Sequence, residues 1–193
     1  MVISFLANFS YSEGNTMAKS TKYLILKEFT ELLKEYDLDK ITVTLLVNEC
    51  KISRQTFYYH FSDIEDLINW SVKTTYDNFI TYAKTASDVK EATVYFLTIF
   101  TENRFFVEKY FNSSYFYYTV KLLRNSIMEY IVSFYSKFVK TVKFSAEDTK
   151  FIIEFIADAV TGMLVTTIAN GEEIDIEEFS DKLNRTIFSK LIF

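Results

Sequence analysis

The stretch Lys51–Trp70, KISRQTFYYHFSDIEDLINW, decides the reading of this chain. Within it, Arg54–Phe61 gathers an arginine, a glutamine, a threonine, two adjacent tyrosines and the chain's single histidine, in a protein of formal net charge -5. On a helix at about 100° per residue with Phe57 facing inward, Phe61 falls near Phe57 one turn on, and Gln55 and Tyr59 lie at roughly 160° and 200°, on the opposite face. Thr56 and Tyr58 flank that face and Arg54 stands at its N-terminal end. An ordinary surface helix would place Lys, Glu or Asp there. These side chains instead suit base edges and phosphates: Arg for guanine, Gln for adenine and the Thr methyl for thymine. Tyr58, Tyr59 and His60 have the reach for phosphate oxygens, contacts that fix register. His60 fits a packed core position equally well, and Tyr58 fits a shared role, ring inward and hydroxyl outward.

Outward from this segment the pattern stays helical. Leu26, Phe29, Leu33 and Tyr36 recur at 3–4 spacing over Lys22–Tyr36 and predict a first helix, which DLDK interrupts. Thr42 is placed to cap a short helix through Cys50, and Ser53 to cap Arg54–Phe61 after the turn CKIS. Ser62 with Glu65 reads as a capping box for a longer helix through about Ala83. Two short helices joined by a three- or four-residue turn make a helix-turn-helix. Further boxes at Asp88/Glu91, Ser145/Asp148 and Asp175/Glu178, with Gly171 as a C′ residue, mark later helices. The segment RFFVEKYF and a long helix from about Ser114 to Lys140 lie between them.

Composition agrees. The chain has 193 residues, no proline and three glycines, too few turn residues for a sheet protein. The fold class expected is all-α: an N-terminal three-helix DNA-binding domain fused to a C-terminal helical domain. The expected boundaries are a loosely held extension over 1–16, the helix-turn-helix domain over 17–66, and a dimerisation and regulatory domain over 67–193. Met17 reads as a second start. One cysteine, Cys50, excludes an internal disulfide and fits a reducing cytoplasm. No apolar run approaches the ~18 residues of a membrane span, and no metal or cofactor is expected. Between Ala18 and Lys73 eight Lys/Arg stand against nine Asp/Glu, so only their placement can make this region a DNA binder.

In the helix expected over 146–170, Phe151, Phe155, Ala159, Met163 and Thr167 recur every fourth residue, with Ile152, Ile156, Val160 and Leu164 beside them. That stripe is too wide for one neighbour. Phe179, Leu183, Ile187 and Leu191 form a second stripe. Together they suit a four-helix interface between two copies, centred on Phe155, Ala159, Met163, Phe179, Leu183 and Ile187, although a monomeric core would also use them. The aromatic density from Tyr95 to Tyr118 suits either a core or an apolar effector pocket.

The run ITVTLLVNECKISRQTFYYHFSDIEDLINW resembles the DNA-binding signature of the TetR-type bacterial transcription regulators, with its Tyr-x-x-Phe end and acidic helix start. RQTFYYHF…EDLINW further resembles the branch containing dihydroxyacetone-kinase operon regulators. The resemblance implies an all-helical homodimer with an N-terminal three-helix reader of double-stranded DNA and a C-terminal regulatory domain. Two readers about one DNA turn apart are expected to recognise a palindrome, and a small apolar ligand or a protein co-regulator is the further partner expected. It implies DNA contacts from Thr42, Thr44, Arg54, Gln55, Thr56, Tyr58, Tyr59 and His60. Lys51 stands where the family usually has a turn glycine, and Ile64 where many members carry a phosphate-gripping lysine. Two rivals remain. A helical enzyme has little support from one His, one Cys and no phosphate loop. A protein-interaction module with a vestigial reader is favoured by the acidic balance and those two departures.

Overall fold

The computed structural model describes residues 16–83, 85–138 and 144–187, and every regular element among them is helical. The expected extension over 1–16 lies outside these residues except for Thr16, and so does Leu191. The described chain falls into two compact units. One takes the residues up to Val72 together with Phe105–Phe116, and the other takes Lys73–Arg104 and the residues from Tyr117 onward.

The first unit is built on helix α1, Thr16–Glu35. It starts six residues before the apolar periodicity, because AKSTK contains no helix breaker. A single 3-10 turn over Leu38–Lys40 leads to α2, Val43–Glu49, α3, Arg54–His60, and the start of α4, Ile64–Ala83. Helices α1, α2 and α3 pack against one another. Their shared core holds Ile25, Phe29, Leu33, Leu46, Phe57 and Phe61 at 0–1% exposure, each stabilising by about 1.5–3 kcal/mol on burial. Helices of seven residues are marginal alone, so α2 and α3 depend on this burial and on their caps. Thr42 Oγ1 accepts from the Leu45 N–H at 3.2 Å, and Ser53 Oγ from the Thr56 N–H at 2.9 Å.

The α2–α3 turn is a Schellman motif. The Lys51 N–H donates to the Asn48 carbonyl and the Ile52 N–H to the Val47 carbonyl, both at 3.1 Å. Closing it requires a left-handed residue at Lys51, and φ there is 54°. The same motif ends the long helix near Asn170, where Gly171 takes φ 71° without a side chain to object.

The start of α4 corrects one sequence expectation. Asp63, not Ser62, is the cap: its Oδ1 accepts from the Asp66 N–H at 2.8 Å. The Asp66 carboxylate reaches back to the Ser62 N–H at 3.0 Å, so Glu65 takes no part in the box. Ser87, Asp88 and Glu91 repeat the arrangement one helix later, with Asp88 capping and Glu91 holding the Ser87 N–H. An aspartate following the serine has the shorter path to the helix N–H groups and displaces it.

Residues 105–116 join this unit from far along the chain, through most of α6, Arg104–Phe111. The Lys109 ammonium pairs with Asp37 at 3.2 Å. Ser114 gives the Asp39 carboxylate its N–H at 3.1 Å and its hydroxyl at 2.6 Å. The Tyr110 hydroxyl is buried against Ser71.

The second unit contains the rest of α4, then α5, Val89–Glu102, α7, Phe116–Phe138 (apart from its first residue), α8, Ala146–Ala169, and α9, Ile176–Leu183. Phe79, Tyr95, Phe96 and Tyr130 form an aromatic cluster with ring centroids 5.1–6.2 Å apart, and the Tyr130 and Thr93 hydroxyls share a buried 2.9 Å hydrogen bond. Helix α9 packs on α5, where Lys90 reaches Asp181 at 2.8 Å and Glu177 at 3.2 Å. Helix α8 buries Ile156, Ala157, Val160, Thr161, Leu164 and Ile168 along one face. The opposite face carries Phe151, Phe155 and Met163 at 68%, 61% and 50% exposure. Apolar on both sides, α8 is long and apolar enough by composition to cross a membrane, and one third of that stretch is buried inside the protein. This corrects the expectation that nothing in the chain approaches that length: Glu154 and Asp158 break the run in a strict count without lowering its average much, and Asp158 is paired with Arg124.

Two outcomes follow for the first unit. Lys51→Gly removes the left-handed penalty and is expected to stabilise it by about 1 kcal/mol, read as a higher urea midpoint. Asp39 is held below the ordinary carboxylate range by the hydroxyl and then the N–H of Ser114. Its contribution is therefore present above the unfolded value of about 3.9 and lost as pH falls through the lower folded value. Urea titrations at pH 5 and pH 3 are expected to show a smaller acid loss in Asp39→Asn than in the unaltered chain.

Candidate nucleic-acid interface

Helix α3 buries Phe57 and the C-capping Phe61 beneath it, and the opposite side is open. Gln55 and Arg54 are exposed, and Tyr59 and Tyr58 are 79% and 56% exposed. His60 and Thr56 are half-buried. The outward face carries no carboxylate, since RQTFYYH contains none.

Several of these side chains are held rather than free. The Arg54 guanidinium donates to the Thr44 hydroxyl at 2.7 Å, tying the start of α3 to α2. Thr44 is thus bonded to Arg54, a contact that spacing alone did not show. Thr56 shares a 2.9 Å hydroxyl–hydroxyl bond with Ser53, and Thr42 spends its acceptor on the α2 cap. Thr42 keeps a hydroxyl proton to donate and lies exposed at the helix entrance. Tyr58 stands edge-on to Phe57 at 5.6 Å between centroids, and Tyr59 edge-on to His60 at 4.9 Å. Burial and, second, the Lys22 charge lower the His60 pKa from its ordinary value, so the imidazole favours its neutral form. Ile64, at the position where the resemblance implies a lysine, is buried at 6% exposure.

The six residues expected at an interface between copies separate. Phe155 and Met163 are exposed, Ala159, Phe179 and Ile187 are half-buried, and Leu183 is buried within its own chain at 7% exposure. Sequence periodicity showed the apolar stripe but not which part the chain itself covers. The aromatic run Tyr95–Tyr118 is also divided: Phe105, Phe106, Tyr110, Phe111, Tyr115 and Phe116 belong to the first unit, and the others to the second. A groove of about 380 Å³ in the second unit is rimmed by Asp88, Lys90, Glu91 and Glu177 around Tyr82 and Tyr95, a charged mouth rather than an apolar one.

Comparison with known proteins agrees with this geometry. Residues 25–69 match the family model for bacterial regulatory proteins of the tetR family. Residues 87–189, more than half of the chain, match one described as a transcriptional regulator C-terminal region. A curated relative, the HTH-type dhaKLM operon transcriptional activator DhaS of Lactococcus lactis subsp. lactis (strain IL1403), is 28% identical over 91 residues, 47% of this chain. That alignment spans about half the relative's length, 49%. Among solved structures, the dihydroxyacetone kinase operon activator DhaS superposes with a TM-score of 0.64 at 21% identity, covering 89% of this chain and 96% of the other. The fatty acid degradation regulator FadR from Bacillus halodurans gives a TM-score of 0.60 at 12% identity, covering 93% and 98%. These two likenesses concern the fold. With a helix-turn-helix unit and a regulator-type helical unit in one chain, each matched over most of its length, the protein belongs to the TetR family of DNA-binding transcriptional regulators.

Proposed function

We propose that this regulator binds a palindromic operator as a homodimer, with α3 of each copy in the major groove. The observation that carries the reading is the outward face of α3: exposed Arg54, Gln55, Tyr58 and Tyr59, backed by buried Phe57 and Phe61 and interrupted by no carboxylate. In this reading Arg54 and Gln55 read base edges, while Tyr58, Tyr59, His60, Thr42 and Thr44 hold phosphates directly or position the groups that do. Thr56 supports the turn. The protein acts in the cytoplasm without catalysis, and a small apolar ligand or a protein co-regulator shifts the spacing of the two readers by binding one spacing better than the other.

Helix α8 supports the homodimer. Phe151, Phe155 and Met163 form an exposed apolar face among the described residues, and Gly162 lies on that face, where an added Cβ would meet nothing within 4 Å. A glycine inside a helix costs about 1 kcal/mol against alanine, and nothing among the described residues requires it. Close approach of a second α8 would. A new charge buried there costs several kcal/mol, so Phe155→Glu is expected to weaken self-association by roughly 100-fold, read by sedimentation equilibrium. An unchanged molecular mass would remove this face from the reading.

DNA binding is tested by anisotropy against duplexes tiled across the chain's own upstream DNA, with scrambled controls. The expected result is one preferred tile, with Gln55→Ala/Tyr59→Ala losing the preference at a cost of about 1–3 kcal/mol per lost base contact. Both residues are exposed, so stability should hold within about 0.5 kcal/mol. Equal, weak, steeply salt-dependent binding to every duplex would favour the vestigial reader and a protein partner.

A further inference from the structure

We infer that Lys22, on α1, is a phosphate-contacting residue of the DNA interface, held in place by an aromatic seat at the C-terminal end of α3. The Lys22 ammonium lies 4.7 Å from the centroid of Phe61 and 5.3 Å from that of Trp70. Those two rings meet edge-to-face at 5.6 Å, and Tyr23 stands edge-on to Trp70 at 5.4 Å. Phe61 is the C-cap of α3, so the cation stands beside the end that carries Tyr59 and His60. It is close enough to His60 for its charge to oppose protonation of the imidazole.

Two features together mark Lys22 out among the unit's lysines. Lys27, Lys34 and Lys109 are spent on Glu28, Glu31 and Asp37, whereas among the described residues no carboxylate pairs with Lys22, a property it shares with Lys40 and Lys51. Its position is also fixed, because the stem and ammonium rest on ring faces instead of swinging through solvent. A cation held in advance loses little freedom when an anion arrives, and half-burial leaves it a way to meet one. The anion that suits a single half-buried ammonium near a neutral imidazole, at the C-terminal end of a reading helix, is a backbone phosphate.

This inference rests on the DNA-binding reading above. Its test is the salt dependence of binding by the full-length protein, for the unaltered chain, Lys22→Met and Lys22→Arg, on the preferred duplex and on a scrambled one. Methionine keeps the apolar stem on the rings and removes only the charge. The expected result is a slope of log K against log[salt] shallower by about 0.9 per bound subunit in Lys22→Met on both duplexes. The preference between the duplexes should be unchanged, and Lys22→Arg should restore the slope. An unchanged slope in Lys22→Met overturns the inference, and a lowered melting temperature alongside it would assign Lys22 to packing alone. Failure of the unaltered chain to bind any duplex would sink the DNA-binding reading and this inference together, whereas binding with an unchanged slope sinks only the inference.

Discussion

A helix of seven residues cannot hold its own shape in water, and α3 is such a helix. Everything asked of its outward face depends on what grips it from below. Phe57 and Phe61 anchor it in the core, at 0% and 1% exposure. Ser53 satisfies its first turn, and the Schellman turn at Lys51 sets the direction from which the chain enters. The Arg54–Thr44 hydrogen bond then couples the start of α3 to α2. A reading surface must be rigid before its side chains can discriminate between bases, and here the rigidity comes from three buried or capped contacts on one short helix.

The acidic balance of the chain stops being an objection once the carboxylates are placed. Asp63 and Asp66 serve the start of α4, Asp39 holds Ser114, Asp37 holds Lys109, and Glu31 and Glu28 neutralise Lys34 and Lys27. The negative groups of the first unit are largely committed to internal contacts. The outward side of α3 keeps its arginine and polar groups without a competing acid. Field at a surface follows the arrangement of charges rather than their sum.

Local rules made much of this legible in the sequence. The caps at Thr42, Ser53, Asp88, Ser145 and Asp175, the left-handed demand at Lys51 and the inward Phe57–Phe61 pair are all decided within a few residues. What stayed hidden depends on residues far apart in the chain. The seat for Lys22 needs Trp70, 48 positions on, and the contact of Asp39 with Ser114 spans 75. The breadth of the α8 stripe was visible, yet its division into a covered and an open face required the neighbours. Where two adjacent residues compete for one role, as Ser62 and Asp63 do at the start of α4, pattern alone chose the wrong one.

The most direct test of the central claim is a hydroxyl-radical footprint of the protein on duplexes selected by it from a randomised pool. The account predicts that the selected duplexes share an inverted repeat, with two protected patches centred about one helical turn, or a whole multiple of one, apart on the same side of the DNA. Selected duplexes with no common sequence, or protection spread evenly along them, would contradict sequence reading by α3.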